Sequence, residues 1–285
     1  MSKKAFHSEA SISIYSRYAL LFDCSASVDE WIGFFIGGAE NVMNDYSIET
    51  VKRVEFIRGL LADSGARGIV FGNSGGKDSV LVGILCKLAC EDTLGIIMPC
   101  GSKRNYTEDT DDAASVAEQF NIKIKTVDLA KTYSELSAVI ARETDLSGAA
   151  QMNIAPRLRM TTLYAFAASE GRLVAGTGNR SEMYMGYFTK WGDGAYDFNP
   201  IADLTVREIY EYLEYFCVPS RIIEKAPSAG LTEGQTDEGD MGVSYSSIDD
   251  FLLKGNCPDE DRMIIDKYHN ASEHKRKPPV RYGAD

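Results

Sequence analysis

Between Ser74 and Ser79 the chain reads Ser-Gly-Gly-Lys-Asp-Ser, preceded by Gly72 and Asn73. Two adjacent glycines let the backbone approach an anion closely, and a helix that starts there offers unpaired N–H groups and a positive dipole end. Ser74 and Ser79 add hydroxyl donors, and Lys77 a positive charge. A strand–Gly–Gly–helix turn also serves plain close packing, but this composition suits phosphate. It is not a Walker loop: the first glycine of GxxxxGK[ST] would fall on Phe71, and Asp78 stands where the hydroxyl residue belongs. The pattern GxGxxG fails as well; residues 176–181 approach it but end on Ser181. Asp78 repels phosphate unless a cation lies between them, which implies Mg²⁺ shared by carboxylate and phosphate oxygens. A loop holding pyrophosphate and Mg²⁺ together suits cleavage of ATP between the α- and β-phosphates, with AMP passed to an acceptor. Asp78 is read as both metal ligand and catalytic group.

The elements around this loop follow from periodicity. Val51, Val54, Ile57, Leu60 and Leu61 recur at helical spacing, with Gly65 as a stop. Residues 68–73 read as a buried strand, and 78–90 as a helix apolar nearly all round. A second strand is expected at 93–99, then a helix over 107–120 with acidic residues in its first turn. Residues 122–129 alternate like a strand. Helices follow at 131–142 and 155–169, a strand and turn at 172–179, and a helix over 203–218 opened by Asp203 as cap. Strand alternating with helix predicts an α/β fold, a doubly wound parallel sheet with helices on both faces. Ligands in such sheets sit beyond the carboxyl ends of the strands. The glycine loop and Gly176–Asn179 each fall at one such end. Two loops, 99–107 and 226–246, are long enough to suspect mobility, and 226–246 is the candidate lid.

The run Ser74–Ser79 resembles the SGGxDS loop of the N-type ATP pyrophosphatases, which adenylate diverse acceptors. Further segments narrow the acceptor: Ala155-Pro156-Arg157-Leu158-Arg159-Met160, the stretch 173–205 with GYFTKWGDGAYDFNP at 186–200, KAPSAGL at 225–231, DEGDMGVSYSSIDDFL at 237–252 and EHKRKPP at 273–279. In this order they resemble the ammonia-dependent NAD synthetases over about residues 48–282. The resemblance implies an adenine nucleotide alpha hydrolase-like, Rossmann-like domain over 46–285 that amidates deamido-NAD through an AMP ester. It implies that Gly72, Asn73, Ser74, Gly75, Gly76, Lys77, Asp78 and Ser79 cradle ATP, that Thr177 and Ser228 contact it, and that Asp78 with Glu182 binds Mg²⁺. Arg157, Lys190, Asp197, His274 and Lys275 would contact deamido-NAD, with Lys190 also catalytic. The family's ATP-contacting lysine two residues past Leu204 is Val206 here. Arg207 is the expected substitute, ahead of Lys77.

Composition sets bounds. The chain has 285 residues, 44% hydrophobic and 25% charged, with 30 Lys and Arg against 42 Asp and Glu for a net charge of −12. That balance argues against a nucleic-acid partner, whose phosphates dominate affinity, and hence against a tRNA-modifying pyrophosphatase. Retention of both Asp78 and Glu182 disfavours a non-catalytic nucleotide sensor. Cys86 and Cys90 read as buried thiols of a core helix rather than a metal pair. No apolar run reaches a membrane span, and the start lacks a signal-peptide core, so a cytoplasmic protein is expected. Residues 1–45, an extension of unknown role, are too few for the amidase domain of glutamine-using relatives. Free ammonia is the expected nitrogen donor, and the resemblance to the NAD synthetases implies a homodimer.

Overall fold

The computed structural model describes residues 45–100, 108–225 and 236–283. The 1–45 extension, apart from Asp45, lies outside the described residues, as do residues 101–107 and 226–235, Ser228 among them. Four strands, β1 (Gly68–Gly72), β2 (Thr93–Ile97), β3 (Lys123–Thr126) and β4 (Arg172–Ala175), form one sheet in the order β3-β2-β1-β4. Every pairing is parallel; Val70 of β1 lies opposite Leu94 on one side and Val174 on the other.

Alternation along β1 assigns the two faces. Ile69 and Phe71 point into a core shared with α1 (Tyr46–Ser64), α2 (Lys77–Ala89) and α8 (Val206–Tyr215), through Val54, Ile57, Leu81, Leu85, Ile209 and Leu213. Val70 points the other way, with Leu94 and Ile96, onto Ala155 and Ala167 of α6 (Ile154–Glu170). On the first face lies also α3 (Glu108–Gln119), through Val116 and Ala117. Each such buried aliphatic or aromatic side chain contributes about 1.5–3 kcal/mol. The doubly wound parallel sheet is therefore as expected.

Local signals set the ends. Asp45 caps α1 by accepting the Ser47 and Ile48 N–H groups, and Gly65 ends it at φ 69°. The helix α2 is buried on almost every side, as its composition predicts. Cys86 is buried within it, while Cys90 is only half-buried just past its end. The cap of α8 differs from expectation. Thr205, not Asp203, caps it: Thr205 Oγ1 accepts from the Glu208 N–H, and Glu208 Oε2 accepts the Thr205 N–H at 2.8 Å. Asp203 instead takes both arms of the Arg53 guanidinium at 2.7 Å. That pair ties α1 to the turn before α8.

A third core joins α7 (Arg180–Met185), α10 (Asp237–Met241), α11 (Tyr245–Lys254) and α12 (Asp259–Ala271) through Met185, Met241, Ile248 and Ile265. This corrects the reading of 226–246 as one long loop. Its second half is helical at 237–241 and enters α11 at Tyr245, because Met241, Val243 and Tyr245 are buried. The remaining described helices are α4 (Ala130–Ile140) and α5 (Gly148–Met152) before α6, α9 (Ser220–Ile223) after α8, and α13 (Glu273–Arg276) after α12.

Candidate active site

The strand order reverses direction between β1 and β4, since β2 and β3 are added on one side of β1 and β4 on the other. The loops leaving these two neighbours diverge and open a crevice at their carboxyl ends. One is the glycine loop and the other is Gly176–Asn179. A cavity of about 630 Å³ fills this crevice, floored by the ends of β1, β2 and β4 and walled by α6, α7 and the C-terminal helices.

Gly75 has φ 73°, and a Cβ there would collide with the Asp109 carbonyl. Only glycine lets the loop turn under α3. Gly76 then starts α2 with no side-chain cap, leaving first-turn N–H groups for a ligand. The Ser74 and Ser79 hydroxyls lie 3.1 Å apart at this mouth. Of the expected loop residues, Gly72, Asn73, Ser74, Gly76, Lys77, Asp78 and Ser79 line the cavity. Gly75 lies behind it, its N–H on Asn73 Oδ1.

Asn179 joins the two loops. As the cap of α7 it accepts the Glu182 N–H at 2.9 Å, and Glu182 Oε2 accepts the Asn179 N–H at 3.1 Å. The same side chain donates through Nδ2 to Asp78 Oδ1 at 3.0 Å. A single buried residue thus holds both expected metal carboxylates, Asp78 through its side-chain amide and Glu182 through its backbone N–H. Burial, and then the neighbouring Asp78 charge, push the Glu182 carboxyl well above its ordinary range. Two oxygen-donor carboxylates crowded until they repel each other fit a hard divalent cation. Burial alone would lower Lys77, but Asp78 and Glu182 outweigh it and hold the ammonium above its ordinary value.

Thr177 and Glu182 line the cavity, as does Lys275, whose Nζ donates to the Gly186 and Phe188 carbonyls at 2.8 and 2.7 Å. Arg157, Lys190 and His274 are linked in a chain and are not among the residues lining the cavity. Arg157 donates to the Lys190 carbonyl at 3.2 Å, and Lys190 Nζ to the His274 carbonyl at 2.6 Å. Asp197 is tied to the sheet, accepting from Tyr164 Oη and from the Val174 N–H. Arg207, the expected substitute for the lysine missing at Val206, is not among the residues lining the cavity. Its guanidinium pairs with Asp250 at 2.9 Å, outside the cavity lining, because α8 turns that face toward α11. Of the two candidates, Lys77 is the one that lines the cavity.

Sequence reasoning passed over three groups. Arg159 lines the cavity and donates to the Met98 carbonyl at 3.2 Å, with burial lowering its pKa. Lys225 at the rim is gripped by Asp109 and Asp112, each at 2.8 Å. Asp237, buried, takes the Tyr245 hydroxyl at 3.2 Å. All three lie inside or beside motif segments, and only their arrival at one cavity marks them.

A doubly wound sheet with a glycine-rich anion loop and a carboxylate pair at its switch point defines a nucleotide-binding α/β enzyme site. The profile of the NAD synthase family matches residues 49–279, and the chain belongs to that family. It is similar to the NH(3)-dependent NAD(+) synthetase of Carboxydothermus hydrogenoformans, 46% identical over 234 residues, 81% of this chain and 95% of that protein. Among solved structures it is similar to the NMN synthetase from Francisella tularensis, with TM-score 0.79 and 36% identity over 85% of this chain and all of that one. It is also similar to the NH3-dependent NAD synthetase from Campylobacter jejuni, with TM-score 0.68 and 30% identity over 84% of this chain and 99% of that one.

Proposed function

We propose that this chain is a ligase that amidates deamido-NAD to NAD⁺ with ammonia and ATP, in NAD biosynthesis. The observation that carries the reading is the junction of Asp78 and Glu182 through Asn179 beside a phosphate loop. The substrate carboxylate attacks the ATP α-phosphorus; pyrophosphate leaves, and an acyl adenylate remains. Ammonia then attacks the acyl carbon and AMP departs.

The N–H groups at the start of α2, with Ser74 and Ser79, hold the polyphosphate. Thr177, and Ser228 from outside the described residues, contact the rest of ATP. Asp78 and Glu182 hold Mg²⁺, which when bound neutralises charge building on the departing pyrophosphate. Arg157, Lys190, His274 and Lys275 supply cations for an anionic pyridine nucleotide, and Asp197 orients it. The cavity walls keep water from the adenylate. A cytoplasmic homodimer fits this reading.

A second reading concerns the acceptor. The chain is also similar to a protein named NMN synthetase, at 36% identity and TM-score 0.79, which raises a mononucleotide acid as an alternative acceptor. Purified protein should be given ATP, Mg²⁺ and ammonium with either deamido-NAD or nicotinate mononucleotide, and both pyrophosphate and the amide product measured. NAD⁺ from the first supports the main reading, and NMN from the second alone selects the other. Pyrophosphate release with neither sinks both. The rate should climb with pH as ammonium becomes ammonia, and equal rates with glutamine would refute ammonia as donor. Asp78→Asn should abolish pyrophosphate release yet keep ATP binding, since the backbone cradle survives.

A further inference from the structure

Lys77 is a charged side chain inside the site, only 7% exposed. Its Nζ lies 2.9 Å from Asp78 Oδ2 and 5.6 Å from the centre of the Tyr245 ring. Side chains adjacent on a helix diverge by about 100°, yet these two meet, with Lys77 turned inward against Tyr245 of α11. The other oxygen of Asp78 takes the Asn179 amide at 3.0 Å. Both oxygens of that carboxylate are therefore engaged, one of them by a full positive charge. Glu182 faces the same cavity. The neighbouring acid, Asp237, is engaged by the Tyr245 hydroxyl.

A divalent cation of Mg²⁺ type takes about six oxygens in near-octahedral array. Among the described residues no group of three or more His, Cys, Asp or Glu is placed to hold a metal ion. The protein thus offers a carboxylate pair already balanced by an ammonium. Drawing a cation onto Asp78 would strand a buried lysine next to it, and an unpaired buried charge is costly. A polyphosphate on the glycine loop removes that obstacle. Its oxygens give the ammonium a new partner and complete the cation's shell.

We propose that Lys77 is a resident counter-ion of the Asp78–Glu182 pair, which keeps a divalent cation off these carboxylates until a nucleotide polyphosphate takes over the ammonium. The proposal rests on the reading of Asp78 and Glu182 as the cation-holding pair, and deepens it by setting the order of binding. Metal and nucleotide enter together.

The test is Mn²⁺ binding to the full-length, nucleotide-free protein, read by electron paramagnetic resonance of the free ion. Lys77→Met removes the charge and keeps an apolar stem; Lys77→Gln serves if that variant fails to fold. Lys77→Arg keeps the charge. Wild type and Lys77→Arg should bind Mn²⁺ more weakly than Lys77→Met by about tenfold or more, the scale of one charge-assisted contact. A non-hydrolysable ATP analogue should close most of that gap. Equal Mn²⁺ affinity of wild type and the neutral variant without nucleotide overturns the proposal. Adding Asp78→Asn to the neutral variant should return binding to the wild-type level. If tight binding persists there, the carboxylate assignment itself falls, whatever the acceptor of the reaction proves to be.

Discussion

At the scale of single residues, the site is decided by which way a charge points. Arg207 follows the missing lysine position and Lys77 lies in the glycine loop, yet Arg207 pairs with Asp250 and Lys77 with Asp78. Arg207→Ala should therefore change the KM for ATP less than about twofold, because no charge-assisted contact of ~1.5–3 kcal/mol is lost. Steady-state kinetics at saturating acceptor checks this; a several-fold rise in KM would return Arg207 to the site. The same distinction separates Arg157 from Arg159 on α6. Two residues apart on a helix, they face nearly opposite directions, and the second is the one lining the cavity.

At the scale of elements, caps serve as joints. Asn179 stops β4's loop, starts α7 and holds Asp78. Asn179→Ser retains a good cap, where loss to Ala typically costs ~1 kcal/mol, but it removes the donor to Asp78. Turnover should fall by more than about tenfold while denaturant stability changes by only ~1 kcal/mol, a split that a merely structural role would not produce. Asp249 is the second joint. From α11 it accepts the Ser181 hydroxyl at 2.6 Å and the Arg207 N–H at 2.8 Å, linking α7 and α8. Burial raises its pKa despite these bonds. A raised carboxyl favours the neutral form in the folded state, so its ionisation costs stability as pH rises above the unfolded value of about 3.9. Asp249→Asn keeps one acceptor and one donor for the same partners without the charge. Its stability relative to wild type should improve as pH is raised from about 4 through the raised pKa and then level off, in urea titrations across that range. A difference independent of pH would refute the assignment.

At the scale of the whole molecule, one cavity touches all three cores. Its lining includes Ile96 and Val174 of the α6-side core, Ala175 of the opposite one, and Met185 of the C-terminal lobe. A nucleotide bound there should stabilise the protein as one unit. At a concentration about 100 times its Kd, Mg-ATP should add ~2.7 kcal/mol. For a domain of this size, each kcal/mol corresponds to roughly 2–4 °C in Tm. Scanning calorimetry should show a single transition displaced upward by several degrees; a second, unmoved transition would mean that the lobe unfolds without regard to the site.

The chemistry of Ser74–Ser79 was legible because it is local: six consecutive residues set an anion turn wherever a strand runs into a helix. The sheet was legible because alternation and helical periodicity are properties of short windows, and Ile69, Val70 and Phe71 declare their faces by order alone. The Asp203 cap was misread because Thr205 and Asp203 both fit the local rule, and Arg53, distant in sequence, claims the aspartate. The helical half of 226–246 was hidden for the same kind of reason. Its order comes from burying Met241 and Tyr245 against α7 and α12, contacts that no short window contains. Tertiary structure alone brought Asp78 and Glu182 onto one residue, Asn179, turned Lys77 inward and Arg207 outward, and gathered Arg159, Lys225 and Asp237 around one cavity. Side-chain direction and charge pairing depend on what packs against each element, and strand order, which places β4 beside β1, sets that neighbour.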